Sequence, residues 1–219
     1  MQKLVINNLT GIRFYLFLII FIRHFDWINI SYQILPSWHT LHCVNWAVTF
    51  FFVLSGFCIA LNHDDMFKKL NTSNFFNFLK TRFLKLYPLY FITGIICFLL
   101  IYLPQGKQWL NIFLFKYIPM LNTFSDKYFA STAGNDAGWF IGALFFCYLL
   151  IPVVRAVLTN KQMLLLAISG LIIICILDDK YSIYLYYCPF ARFIQFLFGY
   201  LSAIYLSIQN KTKPQIAIC

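Results

Sequence analysis

The chain has 219 residues, of which 61% are hydrophobic, 21% aromatic and only 11% charged, where a soluble domain carries about 25% charged residues. That composition excludes an ordinary soluble domain and makes the membrane-spanning helix of about 20 residues the natural unit of the fold. The formal charge of +10 is not arranged as a basic stripe with exposed aromatics, so it reads as topology and attraction to anionic lipid, and nucleic acid is not an expected partner.

Six apolar runs, at about 9–28, 44–62, 86–103, 138–158, 162–178 and 189–208, predict an all-α, polytopic membrane bundle of about six transmembrane helices. The first begins at "RFYLFLIIFIRH", residues 13–24. Arg13 and His24 are eleven positions apart, so a helix turns by about 1100° between them, roughly 20° beyond three full turns, and both fall on one stripe. Large polar residues follow this run instead of a small-residue cleavage site, so it reads as a retained span. Arg13, Arg23, His24 and Asp26 lie in or near hydrocarbon, where ionisable groups are functional candidates. The structural alternative is that Arg13 snorkels to the inner interface while Arg23 and Asp26 pair at the outer one. His24 is too short to snorkel far and titrates near neutrality, which suits a proton acceptor.

Ser55 and Gly56, inside the second run, lack the GxSxG elbow of a nucleophile and read as small residues that allow close helix packing. His39 and His42 have no third ligand at metal-binding spacing, and the seven cysteines read as buried small hydrophobes, so no metal is expected. Residues 63–85 form a polar, basic, Asn-rich connection, with His63, Asp64 and Asp65 read as a solvated cluster. Within it Arg82 and Lys85 stand three apart, just before Pro88, which is expected to kink the third span. They are either candidates to meet a phosphate-bearing ligand or anchors that fix topology. The long connection 104–137 contains "KQWLNIFLFKYI", a candidate interfacial helix. All seven acidic residues are aspartate, which excludes any mechanism that needs a glutamate from these 219 residues.

Orientation follows from the lysines and arginines. With both termini cytoplasmic, Lys3, Lys68, Lys69, Lys80, Arg82, Lys85, Arg155, Lys161, Lys211 and Lys213 lie inside, against Lys107, Lys116, Lys127 and Lys180 outside, as the positive-inside rule requires. The five tryptophans then gather at or near the outer surface.

Four segments in order, "LTGIRFYLFLIIFIRH", "FFFVLSGF", "TRFLKLYPLY" and "WFIGALFFCYLLIP", resemble the acyltransferase-3 family of integral-membrane acyltransferases, which includes O-antigen acetylases. The family's arginine followed after ten residues by a histidine matches Arg13 and His24, its FFxLSGF matches residues 51–57, and its RFLRxYPLY matches residues 82–90 with Lys85 in place of the second arginine. The segment "WFIGALFFCY" stands where many O-acetylases have a glutamate-containing motif. The resemblance covers residues 1–219 as one transmembrane acyltransferase-like domain but only the first part of the family's usual set of spans, so a C-terminally truncated member is expected. It implies transfer of an acyl group, acetyl first among the candidates, from acyl-CoA to a hydroxyl of a cell-surface polysaccharide or its lipid-linked precursor, at a bacterial inner membrane. His24 and Arg13 would then be catalytic, and Arg82 and Lys85 would hold the donor. The competing expectations are a non-enzymatic six-span transporter whose polar path includes Arg192, and an inactive truncated fragment.

Overall fold

A computed structural model describes residues 11–12, 14–20, 40–124, 134–135 and 137–212. Among these residues there is no strand, and five helices are long and apolar enough to cross a membrane. Residues 14–20 are helical. The main helices are α1 (Thr40–Lys68), α2 (Thr72–Cys97), the short α3 (Gln108–Ile112), α4 (Gly138–Val157), α5 (Asn160–Tyr187) and α6 (Pro189–Thr212). A polytopic helical bundle is thus what the composition demanded, because hydrocarbon offers the backbone no hydrogen-bond partner outside its own helix. The described residues fall into two units, one up to Asp64 together with those from Gln195 onward, the other Asp65–Ile194.

In the first unit α1 and α6 meet backbone to backbone. A Cβ on Gly56 would collide with the carbonyl oxygen of Phe196, and one on Gly199 with that of Val53. Ser55 beside it is buried, so the small residues of "LSGF" serve close packing. Asp64 is not a solvated loop residue: it is half-buried and accepts a hydrogen bond of 2.7 Å from the hydroxyl of Tyr200.

In the second unit the polar stretch expected to be a loop is helical almost throughout. α1 continues to Lys68 and α2 begins at Thr72, where the side chain of Asn71 accepts from the backbone N–H of Asn74 and starts the helix. Phenylalanines among the polar residues supply the packing, with Phe67 and Phe78 edge to face at 5.0 Å. Pro88 does not interrupt α2, which runs unbroken to Cys97. Beyond it the chain passes through a π-helical turn (Phe98–Tyr102), a 3-10 turn and Gly106 at φ 133°, then returns through α3 and a second π-helical turn (Phe113–Tyr117). The "KQWLNIFLFKYI" segment therefore is helical, but it folds back along α2. Aromatic pairs mark its antiparallel course: Tyr102 with Trp109 at 5.0 Å, Phe98 with Phe113 at 4.4 Å and Tyr90 with Tyr117 at 4.3 Å.

Tyr117 is fully buried and joins this return segment to α2 and α4. Its hydroxyl donates to the carbonyl of Tyr90 at 3.0 Å, and the hydroxyl of Tyr90 donates to the carbonyl of Tyr117. Its ring lies where a Cβ on Gly94 would fall, and a Cβ on Gly138 would come within 3.1 Å of it. Tyr117→Phe is expected to cost about 1 kcal/mol for one lost hydrogen bond, and Tyr117→Ala about 3–5 kcal/mol for the cavity as well. Unfolding of the purified protein in detergent checks both values, and equal effects would mean that the ring contributes nothing.

Candidate functional site

Of the residues singled out from the sequence, Arg13, Arg23, His24 and Asp26 lie outside the described residues, as do His39 and the side chain of His42. Arg82 and Lys85 are both on α2, as expected. A difference of three positions leaves them about 60° apart around the helix, and their surroundings differ accordingly. Arg82 is half-buried, with its guanidinium carbon 5.2 Å from the ring centre of Phe78 and 5.7 Å from that of Tyr148 on α4. Lys85 is exposed.

The register between α2 and α4 sets the level of Arg82. Phe83 lies against Phe145 at 5.8 Å and Phe78 against Tyr148 at 6.1 Å, so the two helices run antiparallel and Arg82 faces the middle of the twenty-residue α4. A guanidinium held on two aromatic faces beside a membrane helix keeps its planar fork and few rotamers. Such a group suits a phosphate or a developing oxyanion.

A second polar cluster forms where α4, α5 and α6 meet at the start of α4. α5 ends at Tyr187, so its last carbonyls have no partner within the helix. Arg192 on α6 is buried and donates from Nε at 2.9 Å and from Nη2 at 2.7 Å to the carbonyl of Tyr186. Thr123 donates to the carbonyl of Tyr187 at 3.1 Å. The guanidinium also lies 4.8 Å from the ring of Tyr186 and 5.8 Å from that of Trp139. A cation at a helix C-terminus is favoured by the helix dipole, which makes this burial tolerable. Next to Thr123, the amide of Asn122 is buried with no hydrogen-bond partner among the described residues for either polar atom, and Met120 two residues earlier has φ 60°. A strained backbone and an amide unsatisfied among the described residues together set this turn apart from the regular helices around it.

The comparisons with known proteins bear on the whole chain. A family model described as an acyltransferase domain matches residues 6–219. The chain belongs to the acyltransferase-3 family. No curated protein and no solved structure matches it. As a member of that family it carries an integral-membrane acyltransferase domain, and the motifs "FFFVLSGF" and "TRFLKLYPLY" now have places: the first is the packing surface of α1, the second the part of α2 that presents Arg82.

Sequence reading missed Tyr148, Trp139, Tyr186, Thr123 and Asn122. Arg192 inside the apolar run "ARFIQFLF" was the one signal that pointed here. Its rings and carbonyl come from α4 and α5, which no local pattern connects to it. Arg192→Lys is expected to cost about 2 kcal/mol, because lysine cannot make the paired hydrogen bonds to Tyr186 or stack on Trp139. Thermal unfolding in detergent checks this, and an unchanged melting temperature would show that charge alone suffices.

Proposed function

We propose that this acyltransferase-3 member transfers an acetyl group from acetyl-CoA to a hydroxyl of a cell-surface polysaccharide or its lipid-linked precursor, in a bacterial inner membrane with both termini cytoplasmic. The observation that carries the reading is the match of the acyltransferase domain over residues 6–219, together with the arginine and histidine spacing at Arg13 and His24. In the reaction His24 accepts the proton of the acceptor hydroxyl as its oxygen attacks the thioester carbonyl. The tetrahedral oxyanion is stabilised by Arg13. Collapse expels coenzyme A as thiolate, which takes up the proton from His24, and the acetyl ester remains on the acceptor.

Arg82 and Lys85 hold the donor phosphates. The aromatic seat of Arg82 supports this role, because a guanidinium fixed on Phe78 and Tyr148 meets a phosphate with little further loss of freedom. Lys85 adds a mobile point charge one helical turn away.

Membranes that contain the chain are expected to move label from acetyl-CoA into polysaccharide. His24→Ala and His24→Gln should each lower transfer by about 100-fold or more with the protein still inserted. Substantial transfer by His24→Ala would remove the histidine from the reaction. Acetyl-CoA binding is expected to fall steeply in Arg82→Glu and to survive in Lys85→Arg, read as donor affinity in purified protein. Indifference to both changes would leave these residues as topological anchors. For orientation, a lone cysteine at Lys107→Cys should be labelled from outside intact cells, and labelling only after permeabilisation would reverse the topology.

A further inference from the structure

α2 and α4 leave an open groove of about 420 Å³, lined by Phe76, Asn77, Leu79, Lys80, Phe83 and Phe145. α2 belongs to the candidate span Thr72–Gln105 and α4 is itself a candidate span, and five of the six lining residues stand on α2 just before its apolar run at about 86–103, the level at which the positive-inside orientation puts the cytoplasmic head groups. Among the described residues the groove's walls are three phenyl rings, a leucine and Asn77, and its one charge is Lys80, with no carboxylate. Lys80 is exposed and has no ion pair or hydrogen bond among the described residues. Arg82 is two positions from Lys80, a turn of about 200° around the helix, and it is not among the residues that line the groove.

We propose that this groove is a binding site for an anionic phospholipid, with one acyl chain along Phe76, Phe83 and Phe145 and the phosphate on Nζ of Lys80. The charge of the groove selects this occupant. A zwitterionic lipid would bring a quaternary ammonium toward a lysine with no carboxylate beside it. Coenzyme A would bring several phosphates to a single cation. A second copy of the chain packed by two-fold symmetry would place its own Lys80 against this one. Basic pockets between transmembrane helices on the cytoplasmic side are suited to lipid head groups, and a lysine stem can lie along apolar walls while its ammonium reaches the phosphate. The inference goes beyond the transfer reaction and does not depend on it.

The test uses the purified full chain, equilibrated with mixed vesicles of phosphatidylglycerol and phosphatidylcholine, with native mass spectrometry counting the lipids retained. The wild-type chain is expected to retain phosphatidylglycerol over phosphatidylcholine by about fivefold, the selectivity one lysine near the surface provides. Lys80→Gln should bring that ratio close to one, and Lys161→Gln, at an exposed lysine at the start of α5, should leave it unchanged. Asn77→Trp fills the groove without altering charge and should lower retention of both lipids. Melting temperatures confirm that each variant is folded. The proposal is overturned if the wild-type chain shows no preference, if the preference survives Lys80→Gln, if Lys161→Gln abolishes it equally, or if Asn77→Trp has no effect.

Discussion

The exchange of hydrogen bonds between Tyr90 and Tyr117, each hydroxyl donating to the other's carbonyl, is what allows the chain to turn back on itself after α2. A backbone in an apolar setting must find partners for every carbonyl and N–H group that leaves regular helix. The return segment leaves it in two π-helical turns, Phe98–Tyr102 and Phe113–Tyr117, and in the 3-10 turn and Gly106 between them. At the second π-helical turn, the N–H of Ile118 donates back to Phe113, the N–H of Met120 to Tyr117, and the hydroxyl of Tyr87 satisfies the carbonyl of Ile118 at 3.3 Å. Tyrosine suits this place because its ring stacks as an apolar body while its hydroxyl reaches a carbonyl. The strained backbone of Met120 persists because these contacts on both sides determine it.

The same unit sorts its cations by chemistry. The described arginines, Arg82, Arg155 and Arg192, are half-buried or buried, whereas Lys68, Lys69, Lys80, Lys85, Lys107 and Lys161 are exposed, with Lys116 half-buried as the exception. A guanidinium is weakly hydrated and planar, so aromatic faces and helix-end carbonyls can replace its water. An ammonium is strongly hydrated and has no plane to stack, so it stays at the surface on a flexible stem. The sorting separates what each can do: Arg82 and Arg192 are held against rings and carbonyls, while an exposed lysine such as Lys80 can meet a mobile anion such as a lipid phosphate. Asp64, the half-buried acid of the other unit, is held by the same means, through the hydroxyl of Tyr200.

The spans after the first were legible because an uninterrupted apolar run of some twenty residues fits little except a membrane helix: the run expected at about 138–158 is α4, Gly138–Val157, ended where Thr159 caps the next helix with Gln162. The stretch 63–85 was misread as a loop because its polar residues were weighed as a composition. In the structure they ride on the ends of two helices whose phenylalanines pack, and only the cap at Asn71 marks the actual turn. Pro88 misled for a related reason. A proline removes one hydrogen bond from a helix, and here α2 is clamped on both sides of it, by Phe83 against Phe145 and by Tyr90 against Tyr117. The stripe through Arg13 and His24 concerns residues outside those described, so its phase rests on sequence alone. Arg82 was legible as a candidate, but its ring partner Tyr148 was not, because helix register is decided by packing between segments distant in sequence.

That clamping of α2 also bears on why an arginine and not a lysine stands at position 82. Below it Phe78 meets Tyr148, and two turns above it Tyr90 meets Tyr117, so the stretch of α2 between them has little freedom to rotate or slide. A lysine on such a fixed helix would still sample a wide volume on its own four-carbon stem. An arginine against two rings does not, and its position becomes a property of the helix packing. The aromatic stack that secures the return segment and the seat that fixes the cation therefore depend on one rigid element. Weakening the stack at Tyr117 loosens the upper end of the helix from which Arg82 projects, whereas a change at Tyr148 removes the seat directly. A fixed cation in an apolar setting binds an anion with less ordering than a mobile one needs, and that advantage belongs to α2 as a whole and not to the arginine alone.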